Sequence, residues 1–138
     1  MGTISSYLTF NGNCREAMTF YQQCLGGELV LQTIADSPLT EKMPKKMKSL
    51  ILHATLTNGN ILLMGSDMVS EAGLIRGNAV SLTLNSGSKK EIKSCYKKLS
   101  AGGQITSLLQ KNFWGALFGS LTDKYGNNWL FNCAQHLE

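Results

Sequence analysis

The sequence predicts an α+β fold made of two copies of one βαβββ unit. Helix-start signals, double glycines and hairpin ends recur in the same order along the chain, and these three observations predict the repeat. Glu16 and Glu91 lie 75 positions apart, and Gly26 and Gly102 lie 76 positions apart. This common offset favours a duplication, so we expect a single domain, residues 1–138, with repeats of about 1–68 and 76–138.

The first repeat opens with a strand and an amphipathic helix. Ile4–Phe10 is β-prone and ends in a polar turn. Asn13 is the expected N-cap of the helix, and Glu16 lies three residues later, where a capping box needs it. Apolar residues follow at helical spacing: Ala17, Met18, Tyr21 and Leu25. The double glycine that starts at Gly26 ends the helix.

Three further strands and a long loop complete this repeat. Glu28–Ala35 is predicted to be a strand, and the proline-containing segment Asp36–Met47 an exposed loop. Leu50–Thr57 alternates between two faces, so His53 is expected on the face opposite the apolar alternate residues, together with Ile51. The Asn58-Gly59 dipeptide is typical of a hairpin turn. The predicted returning strand is Asn60–Met64.

The second repeat follows the same order. Asn78–Leu84 is the predicted strand, and Ser88 caps a helix with Glu91 three residues later. The apolar face of this helix is spaced i, i+3, i+4, i+7: Ile92, Cys95, Tyr96 and Leu99. Another double glycine, at Gly102, ends the helix. Three strands are then expected: Gln104–Leu109, Trp114–Thr122 and Asn128–Cys133.

Composition restricts the function classes. The net charge of +4 is modest, and its main sources are a loop around Lys45 and the polar side of the second helix. Neither places aromatics within a basic face, so we expect no nucleic-acid partner. No apolar run reaches membrane-spanning length, and the first residues lack the features of a signal peptide, so we expect a cytoplasmic protein without a membrane partner. The four cysteines form no CxxC motif and are expected to be buried free thiols.

Several segments resemble PhnB-like proteins, a branch of the glyoxalase/bleomycin-resistance/dioxygenase (vicinal oxygen chelate) superfamily. The resemblance covers nearly the whole chain and lies in the opening run YLTFNGNCREA, in FY and GGE after it, and in three later segments. These segments are Tyr7–Ala17, Phe20–Tyr21, Gly26–Glu28, Met47–Leu56, Phe113–Ala116 and Thr122–Trp129.

The resemblance implies curved half-barrel sheets around a pocket, usually within a homodimer. In metal-dependent relatives, the first and fourth strands of each module supply histidine, glutamate or glutamine ligands. The matching strands of this sequence contain no His, Glu, Asp or Gln. Of the two histidines of the chain, His136 lies near its end. We therefore expect no metal centre and no other cofactor.

His53 is the candidate catalytic residue. Its imidazole is suited to act as a general base or as a polar contact for a ligand. The alternative is a histidine whose hydrogen bonds are satisfied within the sheet or at a dimer interface. No second acid–base group lies near His53 in sequence.

The other candidate ligand-pocket residues are apolar. Trp114 and Phe118 are expected to alternate on one face of a strand and to line an apolar cavity. Trp129 adds to this cavity, and Met64 supplies an adaptable surface near its mouth. The alternative for all of them is ordinary core packing.

Three functional hypotheses follow. The first is a metal-free protein that binds a small, partly apolar molecule between the two modules. The second is a lyase, isomerase or dioxygenase-type enzyme that uses an unconventional metal site or His53 as an acid–base group. The third is a scaffold for dimerisation or protein contacts. Some PhnB-like proteins carry a methyltransferase label, but the sequence has no glycine-rich cofactor turn to support that activity.

Overall fold

The computed structural model describes residues 2–134, which divide into two compact units on either side of the boundary between Ile75 and Arg76. Each unit contains a four-stranded mixed sheet with one helix packed on one face. The fold class predicted from the sequence is therefore confirmed, whereas the treatment of both repeats as one domain stays a prediction.

The regular elements of the first unit are β1 (Ser6–Thr9), α1 (Cys14–Leu25), β2 (Glu28–Thr33), β3 (Ile51–Asn58) and β4 (Ile61–Ser66). The sheet order is β1-β4-β3-β2. Strands β1 and β4 are parallel, and the other neighbouring pairs are antiparallel. A short 3₁₀ helix lies in the loop between β2 and β3, at Lys45–Met47.

The elements of the second unit are β5 (Leu82–Asn85), α2 (Lys89–Ser100), β6 (Gln104–Lys111), β7 (Leu117–Thr122) and β8 (Asn128–Cys133). They repeat the topology of the first unit, with sheet order β5-β8-β7-β6. The first and last strands are again parallel, and the other neighbours are antiparallel. This identity of strand order is the structural counterpart of the duplication that the sequence predicts.

The double glycines have the same role in both units. A Cβ on Gly27 would collide with the carbonyl oxygen of Thr57, and a Cβ on Gly103 would collide with that of Thr122. Each glycine therefore lets the chain that leaves the helix lie directly against the strand that contains this threonine, β3 in the first unit and β7 in the second. No side chain fits where the two backbones meet. The glycine pair therefore recurs in both repeats, opposite Thr57 in the first and Thr122 in the second.

The two helices begin differently. At α2 the prediction is confirmed, because the Ser88 hydroxyl accepts a hydrogen bond from the Glu91 amide at 3.1 Å. At α1 the predicted N-cap position is confirmed for Asn13, but its side chain makes no capping hydrogen bond, so the predicted capping box is wrong there. The carboxylate of Asp67, which is 53 residues away from Cys14 in sequence, accepts from the Cys14 amide instead.

Asp67 connects three segments of the first unit. Its Oδ1 atom accepts from the amides of Gly12 and Cys14 at 2.9 and 3.0 Å, and its Oδ2 atom accepts from the amide of Ile51 at 2.9 Å. The Asp67 amide donates back to the Ile51 carbonyl at 2.8 Å. Only 6% of Asp67 is exposed, so these bonds are largely shielded from water. They attach the end of β4 to the start of α1 and to the start of β3.

A β-bulge changes the faces of β3. Gln32 pairs with His53, but the next residue, Thr33, pairs with Ile51, so Leu52 is the extra residue. Ile51 is consequently buried with Ala54 and does not share the face of His53. The strict alternation predicted for this strand is therefore wrong at its start, because a bulge inserts one residue into one strand only.

Other predicted boundaries differ by a few residues. β8 agrees with its prediction, whereas β4 and β6 extend further and β1 and β2 are shorter. β5 begins at Leu82 rather than Asn78, and β7 begins at Leu117 rather than Trp114. The shift of β7 matters most, because it removes Trp114 from the strand on which the prediction that it shares a face with Phe118 depends.

Each helix buries an apolar face against its sheet. The α1 face includes Met18 and Tyr21, and the α2 face is the predicted set that includes Ile92 and Leu99. All four cysteines are free and buried, in agreement with their prediction. Burial, together with the nearby Asp67 carboxylate, raises the pKa of the Cys14 thiol to about 12, against a smaller opposing effect of Arg15. Within residues 2–134, no helix is long and apolar enough to cross a membrane.

We predict that Asp67→Ala lowers the free energy of unfolding by about 3 kcal/mol, because it leaves the buried amides of Cys14 and Ile51 and the part-buried amide of Gly12 without this acceptor. Asp67→Asn retains one oxygen acceptor and should lose less stability. Urea denaturation measures both values. Asp36→Ala is the matched control, since this carboxylate is exposed and accepts one side-chain hydrogen bond. An equal loss in the Asp36 and Asp67 alanine variants would contradict the role given to Asp67.

Candidate functional site

The candidate site lies on the face of the first sheet opposite α1, which we call the open face. The strand register aligns four side chains across it: Tyr7 of β1, Met64 of β4, Thr55 of β3 and Val30 of β2. His53 lies two residues from Thr55 on the same strand and therefore points to the same face. Half of Tyr7 and 56% of Val30 are exposed, so this face is accessible in the first unit.

His53 is held by two hydroxyl groups. The Tyr7 hydroxyl lies 3.3 Å from its Nδ1 atom, and the Thr55 hydroxyl lies 3.2 Å from its Nε2 atom. The Tyr7 and His53 rings are also in contact, with centroids 5.8 Å apart and planes inclined at 35°. Both ring nitrogens are thus engaged, which fixes the imidazole orientation on the open face.

This arrangement has two hydrogen-bonding states. In a neutral imidazole, one nitrogen donates and the other accepts. When Nδ1 carries the proton, it donates to Tyr7, and the phenol O–H is available to donate to a ligand. When Nε2 carries the proton, it donates to Thr55, and the phenol donates to Nδ1. The cluster can therefore offer either a donor or an acceptor to a bound molecule without moving a heavy atom.

The structure supplies a partner that sequence reasoning missed. No second acid–base group lies near His53 in the sequence, but Tyr7 reaches it from 46 residues away. The signal was present in the pairing of strands: the parallel pairing of β1 with β4 puts Tyr7 beside Met64, which shares a row with Thr55. Sequence alternation within one strand does not reveal such a contact, because it depends on the order of strands in the sheet.

Trp114 does not lie where the sequence predicted. It belongs to the loop between β6 and β7, and 84% of it is exposed. The side chain of Asn112 accepts from the amides of Trp114 and Ala116, both at 3.0 Å, and Gly115 has φ = +81°. These bonds and the positive φ form a tight turn, so the predicted strand cannot extend back to Trp114.

Phe118 and Trp129 lie on opposite faces of the second sheet. Phe118 pairs with Asn132, whereas Trp129 pairs with Leu121 on the face covered by α2. Trp129 is only 3% exposed, and its Nε1 donates to the buried Asp123 carboxylate at 2.8 Å. The expectation that Trp129 extends an apolar cavity with Phe118 is therefore wrong. Asn132, the partner of Phe118, lies three residues from Trp129 on β8, and residues an odd number of positions apart on a strand point to opposite faces.

The residues present do not fit the metal centre of the superfamily. Strands β1, β4, β5 and β8 carry hydroxyl, amide and apolar side chains, and the only thiol among them is the buried Cys133. In the part of the chain that the structure describes, no three His, Cys, Asp or Glu side chains are grouped so that they could hold a metal ion. His136 lies outside the described residues. The donor set thus lacks the imidazoles and carboxylates that divalent metals prefer.

Comparison with known proteins places this geometry in a class and then in a family. The fold is that of the glyoxalase/bleomycin-resistance superfamily: two solved structures described as members share it at 13% and 18% identity, each with a TM-score of 0.61. The family described as 3-demethylubiquinone-9 3-methyltransferase matches residues 2–131. The chain therefore belongs to this family, the PhnB-like branch of the superfamily, as the sequence motifs predicted.

Three relatives show how far the likeness extends. Protein YjdN of Escherichia coli (strain K12) is 32% identical and covers 94% of this chain and 93% of its own length. The crystal structure of protein PA1353 from Pseudomonas aeruginosa is 40% identical, with a TM-score of 0.84, and covers 99% of this chain and 100% of its own. The PhnB protein of Bacillus cereus is 28% identical, with a TM-score of 0.74, over 96% of this chain and 100% of its own.

We predict that the untagged protein, purified without chelator, contains far less than one equivalent of nickel, zinc, iron or manganese. Elemental analysis measures this, and the reason is the missing ligand set. EDTA should leave the melting temperature unchanged, since a metal that bound the folded state would stabilise it. One equivalent of metal that EDTA removes, with a fall in melting temperature, would contradict the prediction.

Proposed function

We propose that the open face binds a small, partly apolar organic molecule without a metal ion. The observation that carries this proposal is the Tyr7–His53–Thr55 cluster, an oriented set of polar groups on an accessible sheet face. Small-molecule sites typically combine apolar walls with a few fixed polar groups. The cluster supplies the polar groups of such a site.

The apolar part of the proposed site surrounds the cluster. Met64 lies between Tyr7 and Thr55 in the register and is half-buried, and Val30 extends the row on the other side. Leu62 is on the same face and is 39% exposed. A thioether and two branched side chains suit a ligand with an apolar body, and the flexible Met64 can adapt to its shape.

The second candidate is an enzyme in which His53 transfers a proton. The contact between Tyr7 and Nδ1 of His53 favours this candidate, because two groups that exchange a proton need to lie within hydrogen-bond reach. Lyase or isomerase chemistry at such a site requires a substrate with an acidic C–H or O–H bond near the imidazole. His53→Gln separates the candidates, since it abolishes turnover of a substrate but only weakens the affinity for a ligand.

The family description does not by itself assign methyl transfer to this chain. The described residues contain no glycine-rich turn between a parallel strand and a helix of the type that dinucleotide-like cofactors use. The homodimer stays a prediction; exposed apolar side chains such as Leu108 and Val80, at 65% and 80% exposure, favour contact with a second copy. The cytoplasmic location and the absence of a nucleic-acid partner also stay predictions.

We predict that compounds found by a thermal-shift screen bind about fivefold more weakly to Tyr7→Phe and to Thr55→Val. Each substitution removes one hydroxyl, and a hydrogen bond contributes about 1 kcal/mol. Isothermal titration calorimetry measures the dissociation constants. Thr57→Val is the matched control, because it removes the same hydroxyl from the same face of β3 without touching His53.

Three results would contradict the proposal. The first is a screen in which no compound stabilises the protein. The second is an equal loss of affinity in the Thr55 and Thr57 variants. The third is unchanged affinity in Tyr7→Phe, which would exclude the cluster from the binding site.

A further inference from the structure

We propose that the first unit carries a second, separate binding site, which takes a small amphipathic anion. The site is a cavity of about 360 Å³ beside the start of α1, a volume within the range of small-molecule sites. None of the open-face residues Tyr7, His53, Thr55 or Met64 lines it. The inference therefore does not depend on the function proposed for the open face.

The walls of this cavity are apolar and adaptable. Three thioethers and two branched side chains line it: Met43, Met47, Met68, Leu50 and Val69. All five side chains are half-buried, so the cavity opens to solvent. Methionine side chains are flexible and polarisable, and they fit ligands of different shapes. Three of the six methionines of the chain lie at this one cavity, which indicates an apolar ligand body, aromatic or branched.

The charge around the cavity indicates that the ligand is an anion. Lys42, Lys45 and Lys46 are exposed and lie next to the lining residues Met43 and Met47 in sequence, and Lys48 follows directly. Glu41 is the only acidic residue within residues 41–48. A surplus of positive charge on the segment that carries Met43 and Met47 raises the local concentration of anions and favours their binding.

Asp67 orients the ligand. It is the buried residue of the lining, and its carboxylate oxygens already accept from the amides of Gly12, Cys14 and Ile51. A second negative charge beside it would be repelled. The acidic group of the ligand is therefore placed at the lysine side, and its apolar body points towards the methionines. One carboxylate or sulfonate on a compact apolar body satisfies both requirements.

The test uses two fluorescent probes that share one aromatic body. 8-Anilinonaphthalene-1-sulfonate carries the anionic group, and N-phenyl-1-naphthylamine lacks it. Fluorescence titration gives a dissociation constant for each probe. We expect the sulfonate probe to bind at one site and more tightly than the neutral probe, with a difference that shrinks as salt is added.

Two variants locate this binding. Val69→Phe fills the cavity and should weaken binding of both probes by about tenfold, because the added ring occupies ligand space. The double variant Lys45→Gln/Lys46→Gln should weaken the sulfonate probe by about threefold and leave the neutral probe unchanged. The control is Lys89→Gln/Lys90→Gln, which removes the same two charges from the exposed start of α2.

The outcomes are distinct. The expected effects of the three variants, together with unchanged probe binding in Tyr7→Phe, support an anion site at the cavity. This conclusion holds even if the open face binds nothing. Equal effects of the two lysine double variants would overturn the anion site, since only overall charge would matter. Unchanged binding in a folded Val69→Phe protein would overturn the cavity, as would loss of binding in Tyr7→Phe, which would place the probe on the open face.

Discussion

The Asp67 carboxylate is the interaction on which the first unit depends. It lies at the end of β4, yet its hydrogen-bond partners are the turn before α1 and the first residue of β3. It satisfies the Gly12 and Cys14 amides at the helix start, where no intrahelical acceptor exists. Because it also holds Ile51, it fixes the start of β3, next to the bulge that sends Ile51 into the core and leaves His53 on the open face.

The second unit uses a different residue for a similar purpose. Asp123, in the turn between β7 and β8, accepts from the amides of Tyr125 and Asn127 and from the indole of Trp129. It stabilises a hairpin and a core side chain rather than a helix start, and α2 relies on Ser88 instead. The duplicated scaffold therefore keeps its strand order while the buried carboxylates lie at non-equivalent places. His53 is the only histidine among the described residues, so the imidazole cluster of the first unit has no counterpart in the described part of the second unit.

Repeated signals made most of the fold predictable. The glycine pairs, the Ser88 cap and the spacing of the apolar face of α2 each depend on residues close together in sequence. The errors occurred where distant residues decide the structure. Asn13 is a good N-cap by type, but the side-chain acceptor found at this helix start is the buried Asp67, which accepts from the Cys14 amide. Leu52 shows no sign of a bulge, because the bulge is defined by the pairing of β3 with β2.

The candidate site was predictable only in part, for the same reason. The sequence predicts His53 and Met64 as pocket residues, but Tyr7 joins them only through the parallel pairing of β1 with β4. Trp129 was judged by its strand alone, whereas its face is set by the packing of α2 and by its bond to Asp123. Asx turns such as the one at Asn112 end a strand without changing its hydrophobic pattern, so Trp114 was assigned to the strand that follows.

The central claim is that the open face of the first sheet binds a ligand through His53. Long-range proton–nitrogen NMR of the imidazole rings tests it directly, since the chain has only two histidines and His53→Gln identifies the signals. With a compound from the thermal-shift screen whose affinity Val69→Phe leaves unchanged, the account predicts shifts of Nδ1 and Nε2 of His53 that saturate with the binding isotherm and are reduced in Tyr7→Phe. Saturating binding that leaves both ring nitrogens unshifted would contradict the account.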